Sequence, residues 1–128
     1  MKLQELFDKP LPWKWHEKRK DFWDAMFDVD GKEGYIDFKQ EHPGEWSIAF
    51  AIDSDEEVSG EGDEFKVFAT VIDIIKNFIK IHKPKRLEFT AKENSRIKLY
   101  NKFVKVIGSK LGYKAKRSKY GDYILVRK

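Results

Sequence analysis

The sequence predicts an α/β (α+β) fold: a mixed, mostly antiparallel sheet of about six strands in the order β-β-β-α-β-α-β-β, with two main helices packed on it. Three observations predict it. Apolar and polar residues alternate over three early stretches separated by short turns containing glycine or proline. Apolar residues then recur at helical spacing in two long stretches, with a short strand-like segment between them. Two further strand-like segments close the chain. A strand–helix–strand unit inside an otherwise antiparallel series makes the sheet mixed, with a right-handed crossover.

The first strand spans about Asp21 to Val29, where Trp23, Ala25, Phe27 and Val29 share one face and Phe22, Asp24, Met26 and Asp28 the other. Asp30-Gly31-Lys32-Glu33 makes a turn, Asp-Gly being a hairpin signal. A second strand follows at about Gly34 to Gln40. The turn Glu41-His42-Pro43-Gly44-Glu45 leads into a third, Trp46 to Ile52. The first long helix is expected from about Glu64 to His82, with Phe65, Phe68, Ile72, Ile75 and Ile79 as its core stripe and Pro84 as its stop. Lys85 to Ala91 reads as a strand. Asn94 or Ser95 then caps a second helix to about Leu111, with Gly112 as its C′ residue. Tyr113–Arg117 and Tyr123–Arg127 form a final hairpin. Residues 1–20 read as an N-terminal arm, in which Trp13 and Trp15 follow Pro10 and Pro12 and anchor it on the body. Residues 21–128 read as a single domain.

At 128 residues the chain can bury a core without a staple. It has no cysteine, which excludes disulfides, thiolate catalysis and cysteine-ligated zinc. No apolar run approaches the roughly 20 residues of a membrane span, and the first residues lack the apolar core of a signal peptide. A cytoplasmic protein is the expectation. The three histidines, His16, His42 and His82, have no metal-ligand spacing and are expected on the surface, so no metal is expected. The net charge is +4 but uneven: seven acids and no base lie between Asp53 and Glu64, and the C-terminal part is strongly basic. That part suits nucleic acid or another anionic partner. A solvated lysine face is the favoured reading, because few aromatics are interleaved among the lysines.

The stretch that decides function runs from Trp46 to Ile81: a strand, an acidic turn with Gly60 and Gly62, and a long helix. Backbone N–H groups at the start of such a helix can hold an anion. Glu57-Val58-Ser59-Gly60-Glu61-Gly62 is similar to the pyrophosphate-binding loop Arg/Gln-x-x-Gly-x-Gly/Ala of the GNAT (acetyl-CoA-dependent N-acetyltransferase) superfamily. Asn94-Ser95-Arg96-Ile97-Lys98-Leu99-Tyr100, followed by Leu111-Gly112-Tyr113, resembles that family's Asn…Leu-Tyr pattern and its Gly-Tyr opening of the next strand. The resemblance covers about residues 21 to 127, and the ending is similar to that of small GNAT-like proteins often encoded by bacteriophages.

The resemblance implies acetyl-CoA held by Val58, Ser59, Gly60, Glu61, Gly62, Asp63 and Asn94. It implies an amine acceptor and Tyr100 as general acid toward the departing thiolate. By position alone, Asp53 or Glu45 is a candidate base. Read from the residues, Tyr100 on an apolar stripe is a core tyrosine. Glu57 stands where the family's loop carries a basic or amide residue. Two functional readings therefore stay open. One is an acyltransferase-like protein. The other is a catalytically inactive GNAT-like domain, a phage-encoded virion component or a binder of a host protein, in the host cytoplasm or virion.

Overall fold

The computed structural model describes residues 10–29, 31–52, 61–89, 104–105, 110–117 and 123–128. Seven strands and one long helix lie in these stretches: β1 (Trp13–Lys18), β2 (Phe22–Val29), β3 (Lys32–His42), β4 (Glu45–Ile52), α1 (Glu61–His82), β5 (Arg86–Phe89), β6 (Tyr113–Arg117) and β7 (Tyr123–Arg127). The fold is α+β, and the strands form one mixed sheet in the order β1-β2-β3-β4-β5-β7-β6. β4 and β5 run parallel, from Glu45↔Arg86 to Ile48↔Phe89, as a crossover through a helix requires. β5–β7 and β6–β7 are antiparallel. No helix among the described residues is long and apolar enough to cross a membrane.

The two early turns follow their glycines. Gly31 and Gly44 sit at φ +84° and +80°, the left-handed region that glycine reaches without a Cβ clash. The Asp28 carboxylate accepts from Gly31 N at 3.0 Å, and the Gly44 carbonyl accepts from Lys85 N and Arg86 N. Gly112, at φ +76°, has the conformation expected of a helix C′ residue. Of the helix expected before it, Val104, Lys105 and Lys110 are helical and Val104 is buried; the rest lies outside the described residues.

The sheet has seven strands rather than about six. The additional one is β1, drawn from the arm: Trp13, Trp15 and Glu17 are half-buried, Lys14, His16 and Lys18 are exposed, and the strand pairs antiparallel with β2.

By packing, the chain divides into two units. One comprises residues 1–37 and 50–81, the other residues 38–49 and 82–128. In the first, Ala25, Phe27, Val29 and Ile36 from the strands are buried, as are Val67, Val71, Ile72, Ile74, Ile75, Phe78 and Ile79 from α1. The buried face of α1 is thus wider than the expected stripe. At Phe78 the tryptophans of β1 and β2 supply the cover: the Trp15 and Trp23 rings lie 6.5 Å and 6.3 Å from its ring. Each such fully buried side chain contributes about 1.5–3 kcal/mol. In the second unit Phe38, Trp46, Ile48, Leu87, Phe89, Tyr113, Tyr123 and Leu125 are buried. The register puts Trp46, Leu87 and Leu125 in one row across β4, β5 and β7.

Candidate functional site

The strand-to-helix junction is formed by the end of β4 at Ile52 and the start of α1 at Glu61. Val58, Ser59 and Gly60, expected in an anion-binding turn, lie outside the described residues, as do Asn94 and Tyr100. Glu61, Gly62 and Asp63 are the first three residues of the helix, which begins three residues before the expected Glu64. The first four N–H groups of a helix have no acceptor inside it, so Glu61 to Glu64 present that set of donors. Gly62 puts no side chain among them. By sequence, three of the first four helical residues, Glu61, Asp63 and Glu64, are acidic, a composition that suits the helix dipole but not an incoming anion. Of the two positional candidates for a base, Glu45 lies 3.7 Å from Arg86 and Asp53 is outside the described residues.

A second polar group lies on edge strand β1 and its neighbour β2. A β-bulge interrupts β1 between Trp15 and Glu17, so that Trp15 faces Ala25 while Glu17 faces Asp24. The extra residue re-aims the strand: Trp15 joins the buried row of Ala25, and Glu17 joins the polar row of Asp24. Asp24 then accepts from Glu17 N at 2.7 Å and sits 3.3 Å from His16 Nδ1. Arg19 Nε pairs with Glu17 at 2.9 Å. Burial raises the Asp37 carboxyl above the usual carboxylate range, and the negative charges of Asp24 and Glu17 raise it further. His16, Glu17 and Asp24 offer ligand atoms within 4.8 Å of one another, the donor set of this region that could hold a divalent cation. The sequence placed Asp24 on the polar face of its strand but could not show the bulge that brings His16 and Glu17 to it.

His82 departs from the expected surface position. It is half-buried, and its ring lies 5.1 Å from that of Trp46. Burial lowers its pKa from the ordinary histidine value, so the ring is neutral at physiological pH. His16 and His42 are exposed.

Comparison with known proteins gives a family and one solved structure. The model of a family of unknown function, DUF6934, matches residues 27–115. No curated protein matches the chain. A similar solved structure is described as the crystal structure of a domain from Methanocaldococcus jannaschii DSM 2661, with a TM-score of 0.48 at 16% identity. That similarity covers 84% of this chain and 66% of the other, and it transfers no function.

Proposed function

This chain belongs to DUF6934, a family of unknown function, and on that premise we propose that it is a GNAT-type domain that binds acetyl-CoA at the β4–α1 junction. The observation that carries the reading is the parallel β4–β5 pair joined through a 22-residue helix that opens directly after Gly60. In sheets with parallel strands, ligands gather beyond the strands' carboxyl ends, where helix N-termini supply donors to phosphate.

In this reading the N–H groups between Val58 and Asp63 hold the pyrophosphate. Gly60 and Gly62 keep Cβ atoms out of its way, and Asn94 lies beside the bound molecule. By sequence, the two glycines suit the group, while the acidic residues Glu61, Asp63 and Glu64 oppose it. An acceptor amine would attack the thioester carbonyl carbon, forming a C–N bond as the C–S bond breaks, and the proton lost by its nitrogen would go to a base, for which Glu45 and Asp53 are the candidates by position. The Tyr100 hydroxyl gives its proton to the leaving thiolate. Single-turnover kinetics test these roles: Tyr100→Phe lowers turnover with little change in affinity, and an unchanged rate removes Tyr100 from the mechanism.

A second reading keeps the fold and drops the chemistry: an interaction domain, virion component or host-protein binder of GNAT-like topology. The charge of the first turn of α1, with Glu61, Asp63 and Glu64 in four residues, favours it. Co-purification of a stable protein partner from the native source, with no acetyl-CoA binding, supports this second reading over the first.

A further inference from the structure

The chain's net charge of +4 conceals a strong separation. Between Lys83 and Lys128 there are fifteen Lys and Arg against three Asp and Glu, whereas residues 1–82 hold eleven against nineteen. Within the second unit, hydrogen bonds draw three basic segments that are distant in sequence to one end of the β5-β7-β6 sheet. Arg127 N donates to the Lys85 carbonyl at 2.9 Å, and Arg127 Nη1 donates to the Lys83 carbonyl at 2.9 Å. Lys128 N donates to the Gly112 carbonyl at 2.9 Å, and the buried Tyr113 hydroxyl donates to the Pro84 carbonyl at 2.6 Å. Lys83, Lys85, Lys110, Lys114, Arg127 and Lys128 are all exposed along this rim, and Lys116 continues it along edge strand β6.

The described acids of the unit do not pair with the rim lysines. Among the described residues Glu45 and Glu88 lie beside Arg86, at 3.7 and 4.0 Å, and Glu41 lies 3.2 Å from the Ser47 hydroxyl. No ion pair among the described residues involves a rim lysine. Lys83 also holds φ +46°, a left-handed backbone that is uncommon for any residue with a Cβ. A lysine is thus fixed where glycine would fit without strain.

We propose that this rim binds the phosphodiester backbone of a nucleic acid. The charges are spread over the ends of β5, β7 and β6 and along β6, which suits an extended polyanion better than a single phosphate. Lys114 and Lys116 project from one strand face roughly 6.7 Å apart, two residues of strand rise. Tyr113 and Tyr123 are buried, so the described rim offers no aromatic platform for bases. Binding is therefore to backbone and indifferent to sequence. The proposal is independent of the acyl-CoA reading.

Fluorescence anisotropy of the full chain with labelled single-stranded and duplex oligonucleotides at several salt concentrations tests it. About four phosphate contacts give a slope near −3.6 in log affinity against log salt on duplex, a ~150-fold loss over a fourfold rise in salt. The triple variant Lys85→Gln/Lys114→Gln/Lys128→Gln lowers that slope by about 3. The control Lys14→Gln/Lys20→Gln/Lys32→Gln removes the same charge from exposed sites in the other unit and leaves affinity unchanged. Three outcomes overturn the proposal: no binding at low salt, equal losses in both triple variants, or displacement of the oligonucleotide by coenzyme A whose own binding the first triple variant abolishes. Salt-sensitive self-association in sedimentation without oligonucleotide binding also overturns it, by assigning the rim to a second copy of the chain.

Discussion

The indole Nε1 of Trp13 donates to the Asp73 carboxylate at 2.8 Å, across sixty positions of sequence. Three residues earlier on the helix, the Thr70 hydroxyl accepts from Leu11 N at 2.7 Å and itself donates to the Lys66 carbonyl. Edge strand β1 is thereby fastened to α1, and the tryptophans Trp13, Trp15 and Trp23 stack edge-to-face at 5.2 and 5.1 Å beside it. Trp13→Phe keeps most of the aromatic volume and removes the donor. A half-buried carboxylate then loses its partner, at a cost of about 1–3 kcal/mol. Urea unfolding measures it, and an unchanged midpoint would show that the bond contributes nothing net.

Gly34 is needed for its lack of a side chain. A Cβ there would come within 2.4 Å of the Phe27 ring, which is itself buried. Gly34→Ala forces the ring or the strand to shift and destabilises by about 1–3 kcal/mol. Gly31→Ala meets nothing within 4 Å and is strained only by its φ of +84°, costing about 1 kcal/mol. Circular dichroism melts of the two variants should rank Gly34→Ala as the more damaging; the reverse order would locate the cost in backbone strain instead.

The carboxylates at the β1–β2 edge give a pH dependence with a definite sign. Asp37 is raised by burial first, then by Asp24 and Glu17. The folded state therefore holds that proton more tightly than the unfolded chain. Its advantage is greatest in acid and declines as pH rises from the unfolded value of about 3.9 through the raised folded value. Asp37→Asn abolishes the penalty of the buried charge, so the variant is more stable than the parent at neutral pH. The difference disappears below about pH 3. Denaturant midpoints at both pH values check this, and a variant less stable at neutrality contradicts it.

Tyr113→Phe removes the buried hydroxyl that donates to the Pro84 carbonyl at 2.6 Å. The carbonyl is left without that donor, and the expected loss is about 1–3 kcal/mol. Burial also raises the Tyr113 hydroxyl above the ordinary tyrosine value, against the opposing effect of Arg127, so the donor stays protonated at physiological pH. Thermal melts of parent and variant measure the loss.

Local signals made much of this fold legible. Asp30-Gly31 and Pro43-Gly44 mark the two early hairpins because two-residue loops need a positive φ that glycine supplies. Gly112 marks a helix end for the same reason. Helical periodicity found α1 but understated its buried face. Val67, Val71, Ile74 and Phe78 are buried as well, and Phe78 meets Trp15, from a segment whose prolines made it read as an arm. Such long-range cover leaves no trace in the period of the helix itself. The bulge at β1 was equally silent, since one extra residue changes faces without changing composition. The basic rim depends on hydrogen bonds between Lys83, Lys85, Gly112 and the last two residues, which only the folded chain brings together.

Calorimetric titration of the chain with acetyl-CoA tests the central claim most directly. The account predicts micromolar binding that Gly60→Asp abolishes. It also predicts that Glu61→Gln/Asp63→Asn strengthens binding, because each carboxylate near the pyrophosphate opposes it by about 1 kcal/mol, roughly fivefold in affinity. Absence of binding at millimolar acetyl-CoA by the folded chain would contradict it.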